Sequence, residues 1–254
     1  MSRVENQPQV SIVVPVFNAE KFLAETIQTI SDQTYENWEL LLINDCSTDN
    51  SEAVAKTFLK DKRIHWINLK KNSGAAISRN KGIELADGRY IVFIDADDLW
   101  KKNKLEKQLS FMQKKDCAFS FTSYEFADEN GKPNGKKAIV PKKISYKQAL
   151  KNTTIFTSTV MLDMNKLSKE DIKMPNVPSE DTAAWWKILK KIDFAYGISE
   201  IYTYYRRSKN TLSSSKTTAI KRIWFLYRKV EKLNLLTSSY CFCFYAINAV
   251  RRRV

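Results

Sequence analysis

The sequence predicts an α/β fold, a mostly parallel sheet flanked by helices and followed by a C-terminal helical extension. Three observations carry that expectation. Short runs rich in β-branched residues alternate with stretches of helical periodicity through the first half of the chain. Strand and helix succeeding one another in this way imply right-handed crossovers and strands that run parallel. Of the 254 residues 43% are hydrophobic and 28% charged, with only 6 Gly and 6 Pro, a balance that excludes a disordered chain, a collagen-like tract or a Gly/Pro-rich all-β protein.

Val10 to Val16 reads as the first strand and stops at Phe17-Asn18. Asn18 is placed as a helix N-cap, because Phe22, Leu23, Ile27 and Ile30 then recur at helical spacing. Trp38 to Ile43 reads as a buried second strand, followed by a polar turn and a helix from Ser51 to Leu59. Ile64 to Leu69 is the third strand, Gly74 to Ala86 a helix, and Arg89 to Ile94 a fourth strand that runs into acidic residues. Beyond Lys115 the pattern weakens. Asp128-Glu129-Asn130-Gly131 and Pro133-Asn134-Gly135 are turn signals for a hairpin or exposed loop. Thr157 to Leu162 is expected as a strand, Thr182 to Lys191 as a helix and Glu200 to Tyr205 as a strand.

From Ala219 the composition shifts, which divides the chain into a domain of residues 1–218 and an extension of residues 219–254. Ile220, Ile223, Trp224, Tyr227 and Val230 share one helical face, while Lys221, Arg222, Arg228, Lys229 and Lys232 lie elsewhere. An aromatic run, Tyr240 to Tyr245, precedes the closing Arg251-Arg252-Arg253-Val254. The extension holds eight Lys or Arg against one Glu, a net +7 and half of the chain's +14. A basic helix with an aromatic face suits a membrane surface, and a helical pair packed on the domain fits the same residues.

Lys and Arg number 42 against 28 Asp and Glu, which calls for an anionic partner: nucleic acid, a membrane surface or a phosphorylated substrate. Cys46, Cys117, Cys241 and Cys243 match no zinc spacing and are too few for a disulfide framework, so a reducing cytoplasm is expected. Met1 to Gln9 lacks the apolar core of a signal peptide, and no run approaches the ~18 to 20 apolar residues of a spanning helix.

In an open parallel sheet, ligands bind beyond the carboxyl ends of the strands. Phe17-Asn18, Asn44 to Asp49 and Asp95-Ala96-Asp97-Asp98 therefore belong to one candidate cleft. Two carboxylates two residues apart at a strand end suit a hard divalent cation that also holds phosphates. A helix N-cap at Asp97 or Asp98 fits the same residues, since Leu99-Trp100 and a helix follow. No G-x-G-x-x-G follows the first strand and no P-loop is present, which removes the support for a nicotinamide enzyme or ATPase. The single histidine, His65, falls inside a strand and reads as structural, so a histidine-based hydrolase is poorly supported.

The run Val10 to Asn18, then Gln33-Thr34-Tyr35, Asn44 to Asp49, Asn80-Lys81-Gly82, Asp95 to Asp98, and Glu180-Asp181 with Trp185 resembles, in that order, the family 2 inverting glycosyltransferases. The likeness covers Val10 to about residue 210 and implies a GT-A-type, Rossmann-like sheet. It implies that Pro15 and Phe17 line a nucleotide pocket, that Asp45 reads the donor base, usually uracil, and that Asp97 binds the metal with Asp95 beside the donor ribose and sugar. Arg79 faces the nucleotide, Arg206 of Tyr205-Arg206 lies near the diphosphate, and Asp181 is the catalytic base. The implied cofactor is a divalent cation, Mn2+ or Mg2+. The implied donor is a UDP-sugar, and the acceptor a polysaccharide or lipid-linked glycan met at the inner face of the cell membrane. Nucleic acid is not an expected partner. Cys46 stands where glycine is usual, so the turn after Asp45 is expected to differ.

That chemistry is self-consistent. A single displacement with inversion needs one general base on the acceptor side and no protein nucleophile. A nucleotidyltransferase on a related fold would carry an early glycine- and arginine-rich phosphate loop, which is absent. A basic nucleic-acid-binding protein would explain the +14 and leave the ordered acidic motifs without a purpose.

Overall fold

β1 (Val10–Val16), β2 (Trp38–Asn44), β3 (Ile64–Asn68) and β4 (Tyr90–Phe93) pair in parallel in the order β3-β2-β1-β4, as their apolar runs predict. The computed structural model describes residues 10–207 and 216–251; Met1 to Gln9 and the closing Arg252-Arg253-Val254 lie outside the described residues. Successive strand residues point to opposite faces, and here both faces are covered. Val10, Ile12 and Val14 pack with Leu23, Ile27 and Ile30 of α1 (Leu23–Ser31), on the side that also takes α2 (Ser51–Lys56). Val13 points the other way, to Ala76 and Ile83 of α3 (Ala75–Leu85). A Cβ at Gly82 would lie 3.0 Å from Val13 Cγ2, so the glycine of Asn80-Lys81-Gly82 has a packing reason.

The second half changes the character of the sheet. β9 (Met161–Asp163) runs antiparallel between β4 and β6 (Phe119–Ala127), and β10 (Ala195–Arg206) then pairs parallel to β6. β5 (Leu99–Trp100), β7 (Pro133–Ala138) and β8 (Lys143–Ile144) add antiparallel edges. α4 (Lys104–Lys115) covers the α1 side; two short helices, α5 (Tyr146–Ala149) and α6 (Lys169–Ile172), precede α7 (Glu180–Leu189), which covers the α3 side.

Several expectations are corrected. Asn18 does not cap α1, which begins at Leu23; its backbone is left-handed, φ 48°, and its Oδ1 accepts from Thr48 N. The first part of Thr157 to Leu162 is a 3-10 turn, Thr157–Thr159, because its hydroxyls are drawn to carboxylates rather than to a sheet neighbour. The 51–59 helix ends at Lys56 and tightens into turns, with Phe58 and Leu59 bonded to Ala55 and Lys56. Pro133-Asn134-Gly135 opens β7, and the hairpin turn itself is Asp128 to Lys132.

The extension begins with α8 (Lys216–Phe225), so the expected boundary at 218 falls inside a helix; a π-turn, Leu226–Val230, and α9 (Leu235–Arg251) follow. Of the face that suits a membrane surface, Ile223 and Tyr227 are turned inward, Trp224 and Val230 are half-buried and Ile220 is exposed. Ile223, Leu226 and Tyr227 are buried, and the Tyr227 ring stacks on Trp186 at 5.4 Å with its hydroxyl donating to Leu150 O. Glu231 pairs with Lys190 at 2.6 Å and accepts from Tyr146. Aromatic partners on the domain draw that face in. Ile220, Phe225 and Leu235 stay exposed, and Leu236, Tyr240, Phe244 and Ile247 form one exposed stripe along α9. Among the described residues no helix is long and apolar enough to cross a membrane.

Candidate functional site

A cleft of about 560 Å³ opens beyond the carboxyl ends of β1, β2 and β4, where the topology of an open sheet places it. Pro15, Phe17, Asp45, Arg79, Asp95 and Asp97 all line it, so six of the eight residues marked in the sequence meet at one place. Phe17 is half exposed there. Asn18 N donates to Ser47 Oγ, Ala19 N to Ser51 Oγ and Glu20 N to Asp49 Oδ2, which lace the loops after β1 and β2 together.

Asp45 is buried and accepts from the backbone N–H groups of Ser73 and Gly74, both at 2.7 Å, at the start of α3. Each carboxylate oxygen keeps further acceptor capacity for a ligand. Cys46 has φ 60°, the left-handed backbone a glycine would supply, so the turn keeps its shape despite the side chain. Its thiol donates to Leu69 O at 3.2 Å.

Arg79 is the brace of the site. Its side chain is 6% exposed, with Nη2 on Asp95 Oδ1 at 2.6 Å and Nη1 on Glu180 Oε1 at 2.7 Å. Burial alone would pull the guanidinium down, but the charges of Asp95, Glu180 and Asp181 outweigh it and hold the group charged. Burial and the Asp181 charge raise Glu180, and Arg79 opposes them. Glu180 and Asp181 do not line the cleft themselves; Arg79 ties them to it. They start α7, whose N-cap Ser179 is left-handed, φ 57°. Asp181 Oδ2 accepts from Thr157 Oγ1 at 2.9 Å and Oδ1 from Thr182 N at 2.6 Å.

Burial and then the Asp95 charge lift Asp97 to about 6, with Arg206 opposing. Asp98 is fully buried and held well above the carboxylate range by burial and by its two acidic neighbours. It accepts from Ser158 Oγ and from Arg206 N, and the same Ser158 oxygen accepts from Asp95 N at 3.0 Å. Asp98 thus braces the turn rather than facing ligand. Arg206 does not line the cleft: its guanidinium meets Glu25 and Glu129 O and lies 4.7 Å over Phe22, which with Tyr205 lines it. His65 is exposed on the edge strand β3, apart from the cleft.

Among the described residues no cluster of three or more His, Cys, Asp or Glu side chains encloses a metal. The donor set present is one pair of hard oxygen ligands, Asp95 and Asp97, which fits a cation that completes its shell on substrate phosphates. Sequence reasoning missed Thr157, Ser158 and Asp98 as supports. The signal was a run of Thr and Ser inside an otherwise apolar segment, all buried in the fold.

The model of glycosyl transferase family 2 matches residues 11–170. The chain is 43% identical over 250 residues, 98% of each chain, to TuaG of Bacillus subtilis (strain 168), a glycosyltransferase named for teichuronic acid biosynthesis. It is 38% identical, over 85% of this chain and 83% of the other, to WfgD of Escherichia coli, a UDP-Glc:alpha-D-GlcNAc-diphosphoundecaprenol beta-1,3-glucosyltransferase. Two solved structures share the fold. One is Staphylococcus aureus TarS 1-349 with UDP-GlcNAc, TM-score 0.69 at 19% identity over 96% of this chain and 72% of that one. The other is the mannosyltransferase PcManGT of Pyrobaculum calidifontis with GDP-Man and Mn2+, TM-score 0.71 at 13% identity over 98% and 76%. These likenesses leave the nucleotidyltransferase and nucleic-acid-binding readings without support. The chain belongs to glycosyl transferase family 2 and is a glycosyltransferase.

Proposed function

We propose that the chain transfers a sugar from a UDP-sugar to a hydroxyl of a polysaccharide or lipid-linked glycan intermediate, inverting the anomeric carbon. One observation carries the reading: Arg79 holds Asp95, inside the cleft, and Glu180, beside Asp181, on a single buried guanidinium. A donor site and a general base are thereby fixed relative to each other. Pro15, Phe17 and Asp45 take the nucleoside, Asp95 the ribose and sugar, and Asp181 receives the acceptor hydroxyl proton as that oxygen attacks. Asp97, with Asp95 beside it, would hold Mg2+ or Mn2+, which supplies charge neutralisation on the departing diphosphate. Arg206 supports the site through Asp98 and β10 rather than by touching donor.

The named acceptor of WfgD, a diphosphoundecaprenol, supports a lipid-borne acceptor here. Peripheral contact with the inner face of the cell membrane through α9 goes with it. The test is a thermal-shift screen of nucleotide sugars with Mn2+ or Mg2+, since a ligand that binds only the native state raises its melting temperature. Asp181→Asn then keeps donor affinity near wild type and lowers turnover roughly 10²-fold or more. An equal loss in both makes Asp181 a binding or folding residue.

A further inference from the structure

Four rings gather beside the cleft and belong to none of the roles assigned above. Tyr205 lines the cleft, and its ring lies 4.5 Å from Phe156, 5.5 Å from Phe126 and 6.1 Å from Tyr124. Tyr124 and Phe156 are themselves 5.0 Å apart. All four are partly exposed, unlike the aromatic residues of the two cores. The cluster has a direction. At one end Phe156 precedes Thr157, whose hydroxyl donates to Asp181. At the other end the Arg207 guanidinium lies 4.6 Å from the Phe126 ring and 5.6 Å from the Tyr205 ring. Arg207 is exposed, and among the described residues its guanidinium has no carboxylate within ion-pair distance.

We propose that Tyr124, Phe126, Phe156 and Tyr205, with Arg207 at the far edge, form the acceptor subsite, and that it takes a pyranosyl diphosphate. A pyranose ring presents an apolar C–H face that lies flat on aromatic carbon, while its hydroxyls point outward around the rim. Seated on Phe156 and Tyr205, such a ring brings a hydroxyl to the Asp181 side. Its anionic diphosphate then extends toward Arg207, whose planar fork suits phosphate oxygens. A neutral glycoside would use the rings and leave the arginine idle. Charge and shape therefore select one acceptor class, and the charge is read by Arg207, which does not line the cleft.

The inference rests on the cleft being the glycosyl-transfer site, and the measurement separates the two. Calorimetry on the full chain, with the cleft filled by UDP and Mn2+, uses two probes. One is N-acetylglucosaminyl diphosphate on an undecyl chain, the other octyl N-acetylglucosaminide. Arg207→Gln should weaken the diphosphate probe roughly ten-fold and leave the neutral glycoside unchanged. Phe156→Leu should weaken both probes by a similar factor, with UDP affinity and melting temperature held. Equal effects of Arg207→Gln on both probes, or none on either, overturn the assignment. So does a loss of UDP affinity in Arg207→Gln, which would make the arginine a donor ligand. Failure of UDP to bind wild type refutes the donor site instead, and the probes measured without UDP still decide the acceptor subsite.

Discussion

Replacing Arg79 by Met tests whether one guanidinium holds the site together. The side chain is almost fully buried and joins α3, the end of β4 and the start of α7 through two ion pairs at 2.6 and 2.7 Å. Methionine fills much of the volume and removes the charge. Asp95 and Glu180 then face each other without a counter-ion, and breaking a buried pair in this way costs about 3–5 kcal/mol. At about 2–4 °C per kcal/mol for a domain of this size, the melting temperature should fall by roughly 6 to 20 °C. Arg79→Lys keeps the charge but cannot bridge both carboxylates with one nitrogen, so its loss should be smaller but distinct.

The pH dependence gives the sharper signature. Glu180 already sits above its ordinary 4.5 because burial and the Asp181 charge oppose ionisation. Without Arg79 the folded-state value of Glu180 rises further above that of the unfolded chain. The native state then binds more protons than the unfolded state, so the deficit is full at neutral pH and shrinks as pH falls toward 4.5. Melting curves of wild type, Arg79→Met and Arg79→Met/Glu180→Gln across that range measure it. The double variant should recover part of the loss, because the uncompensated charge is gone. A single variant that melts within a degree or so of wild type at neutral pH, or whose deficit grows on acidification, refutes the reasoning.

Three further outcomes follow from the geometry. Asp97→Asn should abolish the dependence of UDP-sugar affinity on Mn2+, measured by calorimetry with and without the cation, because a hard oxygen ligand is lost. Thr157→Val removes the hydroxyl that donates to Asp181, a bond to a charged group worth about 1.5–3 kcal/mol, so kcat should drop roughly ten-fold or more with donor affinity kept. Thr157→Ser should restore it, whereas a structural role for the methyl would spare valine, which keeps it, and impair serine, which does not. Full-length protein should sediment with phosphatidylglycerol vesicles at low salt, and Leu236→Glu/Ile247→Glu on the exposed stripe of α9 should lose roughly ten-fold or more in binding. A soluble dimer that the same variant dissociates would make the stripe a subunit contact.

The donor half of the site was legible because β1, β2 and β4 are buried on both faces and announce themselves as apolar runs, with polar residues beginning where each strand leaves the sheet. Phe17, Asp45, Asp95 and Asp97 could be placed from that rule before any likeness was considered. Asn18 misled because a capping residue and a loop-lacing residue share one chemistry; only its left-handed backbone distinguishes them. Strand β6 was not visible, since Ser120, Thr122 and Ser123 break its hydrophobic pattern yet are buried and hydrogen-bonded. Arg206 was assigned to the diphosphate by likeness, while Glu25, a residue far off in sequence, claims its guanidinium. The extension left two readings open, membrane and packing, for a related reason: amphipathicity shows that a face is buried and says nothing of what buries it.

The charge of the chain and the charge of its site point in opposite directions. Of the residues lining the cleft, Asp45, Asp95 and Asp97 are acidic and Arg79 is the cation among them. Arg79 is already spent on Asp95 and Glu180, and Arg206 is turned to Glu25. Arg79 cannot move to a diphosphate without leaving Asp95 and Glu180, both largely covered, without their counter-ion, which costs several kcal/mol. A diphosphate entering this cleft therefore meets net negative charge unless a cation comes with it. That is the physical reason to expect divalent-cation dependence from a site with so few ligands, and it assigns the surplus of Lys and Arg elsewhere. Half of that surplus lies in the extension, whose Tyr227 packs on Trp186 of α7, the helix that Asp181 helps to start. If Asp181 is the base proposed above, a basic extension fastened to the helix it starts would give an anionic surface and the acceptor chemistry a common frame.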